Sequence, residues 1–492
     1  MQYCTPEAAG ISSRHVLAFY RDLERCNLST HSVLMGRGDR IFTESYYAPF
    51  HKDFKHRMYS VSKSFVSIAV GFCAQDGLLS LDDPMADYFT DYFEANPNAH
   101  RPTSTIRDML RMQTTQEHGI DWFKTGTKDR TAVYFDCPNQ KNPGTLFSYD
   151  SSGSYMLGVI VERVTKKPFL AYLQEKVLND IGFSRDAYCI KAPGGHSFGD
   201  SGVMCTAKDL WLFSRFVLNM GAWGGKQYLN ADYVRTATTM QVCTNDFGFA
   251  TNDCFGYGYK FWGQPQGCFA MHGMGNQIGF CDPAHDFVFA INSDNQGTTH
   301  GYDLIAEALY RNIIDNLGDG TPLPEDPAAK AELDAYMEGR PLFSLREAKT
   351  SPMADRISGK TFICDKNPMG IKWFRLELEG TAGRFYYENE QGEKCFPFGF
   401  GYNELAKFPQ EGYADMTATF PAPGNYYDAA FSADWPYENT LRVRVQIIDK
   451  YFGNLGILFA FRDPDTVSVR MTRKAENFLR EYDGMMNAKA AQ

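Results

Sequence analysis

At 492 residues the chain exceeds what one ordinary hydrophobic core supports, about 250–300 residues, so two domains of unequal size are expected. Hydrophobic residues make up 43% and charged residues 22%, the usage of a globular protein, which excludes disorder over most of the length. A net charge of -10 offers no basic surface to phosphate backbones, which excludes nucleic acid as a partner, and no run of about eighteen apolar residues is present to enter a membrane.

The N-terminal stretch lacks the basic start, apolar run and small-residue cleavage site of a signal peptide. The 12 cysteines are scattered from Cys4 to Cys395 without CxxC pairs or Cys/His clusters. Reduced thiols and a cytoplasmic address are therefore expected, with neither a zinc site nor a disulfide framework. In chain order, apolar residues at helical spacing predict a helix over 11–23 with Ser12 or Ser13 as its N-cap. Two strand-like runs meeting at 36–39 predict a hairpin. A helix starts near Val61, with Phe65, Ile68 and Phe72 on one face and Gly77 as terminator. Further helices are expected at 104–112, 154–164, 169–178 and 207–220.

Strand signals return at 258–262, 268–272, 278–281 and 287–292, short and aromatic or β-branched, and a helix over 302–314 closes the region. Strands at both ends with helices between them imply an antiparallel sheet assembled from distant segments with helices packed on it, an α/β domain over residues 1–316. Gly and Pro crowd 316–327, and residues 317–357 read as a linker with a short helix at 328–337. Beyond it, runs at 373–378, 384–387, 417–420, 441–448, 457–461 and 467–470, with turn signals between them, predict a small β-barrel or sandwich over 358–492.

Chemistry enters at YSVSKSF, where Ser60 and Lys63 form the chain's sole Ser-x-x-Lys. Three residues is one helical turn, so both side chains leave the same face at a helix start. A serine hydroxyl is a weak nucleophile until a nearby base takes its proton, and a lysine serves as that base when burial or neighbouring cations lower its pKa. The helix N-terminus adds N–H groups where an oxyanion forms. Taken alone, the tetrapeptide reads equally well as an N-cap serine with a solvated lysine.

The surrounding sequence resembles the nucleophile segment of class C β-lactamases and penicillin-binding proteins with their relatives, the serine esterases, D-amino-acid peptidases and nylon-oligomer hydrolases. The matching positions are Gly77, Leu79, Leu81, Asp82, Asp83 and Pro84, followed by Tyr88 and Phe89. FSYDSSGSYMLG is similar to the family's second motif: it keeps Tyr149, Gly153, Tyr155, Leu157 and Gly158 and places Ser151 where the family has Asn. For the third motif, CFAMHGMGNQIGF resembles the family's variants when Gly273 takes the motif glycine, which sets His272 beside it and gives Met274 an oxyanion N–H. The literal Lys-Thr-Gly at Lys124, Thr125 and Gly126 precedes Tyr149, against the family order, and lies in a polar loop.

The resemblance covers roughly residues 5–315; beyond 358 the match is only to lipocalin-like barrels that some relatives append. It implies a β-lactamase/transpeptidase-like fold, acylation of Ser60, proton handling by Lys63 and Tyr149, and an oxyanion held by the N–H groups of Ser60 and Met274. Ser151 and His272 stand as substrate contacts, and a triad-base role for His272 is a further alternative. Neither metal nor organic cofactor is implied. The implied substrate is a small ester, amide or short peptide, with weak or no β-lactam turnover. The oligomeric state is not legible. The rival reading is a binding or scaffolding protein that kept the fold and lost turnover, motivated by Ser151 and by the missing terminal Lys-Thr-Gly.

Overall fold

The computed structural model describes residues 1–126, 128–245, 251–413, 422–476 and 478–491. These fall into two compact units, which divide between Pro341 and Leu342.

The first unit is built on a seven-stranded sheet in the order Gln2–Tyr3, Arg40–Tyr46, Thr30–Arg37, Phe287–Ser293, Gln277–Asp282, Phe269–Gly273 and Trp262–Gly263. Early and late parts of the unit meet at its centre, where Thr30–Arg37 runs antiparallel to Phe287–Ser293 with Val33 opposite Ile291. Alternation along the strand sends Val33 and Met35 to one face, against helices Ser13–Arg25 and Gly301–Asn312. Leu34 goes to the other face, which packs on helix Ala207–Leu218 through Trp211 and on helix Ser62–Gln75. This is the expected antiparallel sheet with helices on it, with one parallel pairing added at the edge, Gln2–Tyr3 along Arg40–Tyr46.

Helix boundaries follow their caps. The Ser12 side chain accepts from Arg14 N and opens Ser13–Arg25. Asp150 accepts from Gly153 N and starts Ser151–Thr165 three residues before the apolar pattern begins. The strand expected over 258–262 is reduced to Trp262–Gly263, because Lys260 sits at φ 67 and breaks the extended backbone.

The Gly/Pro-rich stretch read as linker is tied to the first unit. Gly318 N donates to Gly10 O, Leu323 N donates to Glu7 O, and Arg37 donates to Gly318 O. Helix Pro327–Met337 then buries Ala329 and Leu333. Its backbone is anchored before the second unit begins.

The second unit is a closed barrel of nine strands. Eight antiparallel pairings run from Gly392–Phe400 through Ala382–Asn389, Trp373–Glu379, Thr361–Cys364, Gly484–Ala490, Thr466–Ala475, Phe452–Asp463 and Thr440–Ile448 to Asp428–Tyr437. Closure comes from parallel pairing of Gly399 with Ser432 and Phe400 with Ala433. Glu404–Lys407 adds a short strand to the other half of Asp428–Tyr437. The expected run 417–420 lies outside the described residues. Aromatic rings fill the interior: Phe362 stacks on Phe374, and Phe385 packs against Phe374, Phe396 and Phe459. Each such ring contributes about 1.5–3 kcal/mol on burial.

Candidate active site

Ser60 stands half-buried in the single turn Tyr59–Val61 that leads into helix Ser62–Gln75. The turn is clamped by its neighbours. Met58 N donates to Val203 O, and Ser62 Oγ accepts from Val203 N at 3.0 Å. Ser64 Oγ donates to Lys260 O at 2.6 Å. Tyr59, directly before Ser60, is held at φ 46, a region that costs a non-glycine residue about 1–3 kcal/mol and gathers at functional sites.

Lys63 is 2% exposed. Its Nζ donates to Ser60 Oγ at 2.8 Å and to Asp200 O at 2.7 Å, and lies 5.2 Å from the centroid of the Tyr149 ring. The hydroxyl, the amine and the phenol ring singled out in the sequence are thus brought together at one place. The Asp200 carboxyl is buried beside them, and burial raises its pKa against the pull of Lys63, Arg130 and Arg57.

Tyr149 is half-buried on an irregular segment just before helix Ser151–Thr165. Its ring stacks on Trp262 at 5.7 Å and 22°. Trp262 also stacks with His272 at 5.9 Å and 13°, and His272 lies 4.1 Å from Tyr302. Ser151 is the first residue of the helix, half-buried, while its neighbour Asp150 is fully buried and accepts from Thr114 Oγ1 at 2.7 Å.

Strand Phe269–Gly273 passes close to the turn Tyr59–Val61. A Cβ on Gly273 would stand 2.3 Å from Met58 O, so only glycine lets the two backbones approach this far. The turn after it carries Met274, which is 43% exposed, with Gly275 at φ 76 and Asn276 at φ 70. Buried Gln277 fixes that turn: its Nε2 donates to Met274 O and Ser293 O, and its Oε1 accepts from Asn292 Nδ2 at 2.9 Å. His272 Nδ1 lies 3.3 Å from Asp253 Oδ1, with both side chains largely buried.

Lys124 is elsewhere in character. It ends the turn Trp122–Lys124 with a side chain 85% exposed and paired to Asp121. Among the described residues no three His, Cys, Asp or Glu side chains converge as a metal cage would require, and no helix is long and apolar enough to cross a membrane.

Asp200, Asp253, Lys260 and Trp262 border the site and were not singled out from the sequence. One signal was available: GYGYKFWG places a lone cation in an aromatic run, an expensive residue to bury without a reason.

Residues 21–311 match the Beta-lactamase family. The 6-aminohexanoate-dimer hydrolase of Paenarthrobacter ureafaciens is 27% identical over 282 residues, which cover 53% of this chain and 71% of that protein. Protein flp of Staphylococcus aureus strain COL is 23% identical over 181 residues, 34% of this chain and 36% of flp, so the match spans about a third of that relative. The octameric penicillin-binding protein homologue from Pyrococcus abyssi has the same fold, with a TM-score of 0.50 at 13% identity, over 96% of this chain and 99% of its own.

Proposed function

The chain belongs to the beta-lactamase family, and from that premise we propose that it is a serine hydrolase acting through an acyl-enzyme on small esters, amides or short peptides. The observation that carries this reading is the 2.8 Å contact between Lys63 Nζ and Ser60 Oγ, made by a lysine with almost no access to water. In acylation Lys63 takes the hydroxyl proton as Ser60 Oγ attacks the carbonyl carbon. The N–H groups of Ser60 and Met274 receive the oxyanion. Tyr149, whose ring faces Lys63, returns a proton to the leaving group, and the same pair activates water for deacylation.

Similarity to a hydrolase named for the 6-aminohexanoate dimer supports a linear amide among the substrates. Ser151 at the position of the family's Asn supports weak β-lactam turnover, since a hydroxyl reaches less far than an amide. Twelve cysteines scattered along the chain without CxxC pairs support a reducing, cytoplasmic setting.

The test is labelling with a fluorophosphonate probe together with a panel of p-nitrophenyl esters, linear amides and nitrocefin. Ser60 is expected to carry the adduct, and Ser60→Ala to lose both labelling and turnover. An adduct on another residue in intact-mass and peptide analysis would overturn the mechanism, and nitrocefin turnover far above that of any ester or amide would overturn the substrate class. Absence of labelling and turnover in the folded protein would favour the scaffolding alternative.

A further inference from the structure

The phenol of Tyr149 has to serve two partners, the Lys63 amine and a leaving group, yet residues 147–150 belong to no helix or strand that would hold them in register. Misplacing a reacting group by about 1 Å costs on the order of a hundredfold in rate. Contacts from other parts of the chain must set the position of this residue.

Two features of residues 260–262 meet that need. Lys260 is 2% exposed and lies at φ 67, so a buried amine and a left-handed backbone fall on one residue, each of them unfavourable. Its Nζ donates to Met109 O at 2.6 Å and to Met112 Sδ at 3.1 Å. Met112 in turn holds both neighbours of Tyr149. Its carbonyl accepts from Ser148 N at 2.9 Å, and its sulfur accepts from Asp150 N at 3.3 Å. The carbonyl of Lys260 meanwhile accepts from Ser64 Oγ, on the helix that carries Lys63. Two residues further on, Trp262 covers the Tyr149 ring.

We infer that residues 260–262 are the positioning device for Tyr149: Lys260 fixes the backbone on either side of the tyrosine through Met112 and ties it to the nucleophile helix, while Trp262 fixes the ring. The inference rests on Tyr149 as the proton carrier. Burial pushes the Lys260 amine well below the usual lysine range, with Lys63 adding to the effect and Asp150 and Asp200 opposing it. Donation of hydrogen bonds suffices for the role, and an uncharged amine provides it.

The experiment is a double-mutant cycle in the full-length protein with p-nitrophenyl butyrate as substrate and fluorophosphonate labelling of Ser60 read alongside. Lys260→Met and Trp262→Ala are expected to lower kcat about tenfold or more with KM within about twofold, and Trp262→Phe to restore most of the loss. In a Tyr149→Phe background the same changes should alter kcat and labelling by less than about twofold, because the group they position is gone. A residue that only braced the fold would lower melting temperature and multiply with Tyr149→Phe. Wild-type kcat in folded Lys260→Met, or losses that multiply in the Tyr149→Phe background, would overturn the inference. Should Lys260→Met not fold, the two Trp262 variants decide by the same criteria. Retained turnover in Ser60→Ala would instead overturn the hydrolase reading, so the two failures are separate.

Discussion

Gly273 shows how one residue type sets the site. A side chain there would collide with the main chain at Met58, two positions before Ser60, and the strand would have to withdraw from the turn that carries Ser60. The N–H of Met274 would move with it. Loss of one oxyanion donor costs about a hundredfold or more in kcat, so Gly273→Val is expected to be folded by circular dichroism and slowed to that degree. Lys124→Ala, at a side chain 85% exposed, is expected to keep full kcat. An inactive Lys124→Ala beside an active Gly273→Val would reverse the assignment of the third motif. At this scale legibility depended on distance along the chain. Ser60 and Lys63 share one turn, so their contact was readable from spacing. Tyr149 came from resemblance alone, because its place over Lys63 is set by packing of distant segments. Trp262 and Lys260 carried no spacing signal, since their contacts with Tyr149 and Met112 exist only in the folded chain.

At the scale of elements, strands Thr30–Arg37 and His56–Arg57 contribute two buried histidines to one aromatic cluster. His31 stacks on Phe50 at 3.9 Å, and His56 lies 5.4 Å from His31 and 4.8 Å from Phe54. Burial pushes both below the usual histidine range, His56 to about 3, with charge on His56 adding to the depression at His31 and charge on His51 to that at His56. In the unfolded chain each takes up a proton near pH 6.5, whereas in the folded chain neither does. Their stabilising contribution is therefore complete above about pH 6.5 and is lost progressively as pH falls toward 3. For His56 alone the loss at pH 5 is about 2 kcal/mol. Thermal melts are expected to fall between pH 7 and pH 5, and His56→Phe, which keeps a ring and removes the proton site, is expected to flatten that slope. Equal slopes in the two proteins would refute the account. The cluster was not apparent from sequence because neither strand alternates: Thr30–Arg37 is buried on both faces. The same physics limited the barrel, where strands Gly392–Phe400 and Asp428–Tyr437 carry Gly, Pro or Ala between their aromatic positions and so read as loop.

For the whole molecule, the residues proposed for chemistry lie between Ser60 and Met274, within the first unit, and the barrel interior is occupied by its own rings. The division into a sheet-and-helix unit and a barrel was readable from the change in strand texture near 358. The point of division was not. Gly and Pro near 316–327 signal a bend, and the backbone contacts of Gly318 and Leu323 with Gly10 and Glu7 bind that bend to the first unit. Helix Pro327–Met337 and its N-cap Asp326 then add ion pairs, Arg14 to Asp326 and Arg21 to Glu332, worth little at their exposure, and the burial of Leu333, which matters more. Two truncations separate these contributions. A protein ending at Pro341 is expected to fold and to keep fluorophosphonate labelling of Ser60, with substrate preference free to differ. One ending at Asp319 exposes the surface that Ala329 and Leu333 cover, and burial of a leucine contributes about 2–5 kcal/mol, so it is expected to melt several degrees lower while Ser60 keeps its partner. Equal melting temperatures would return residues 320–341 to the status of linker. Loss of labelling in a folded protein ending at Pro341 would show that the barrel supplies a group to the chemistry.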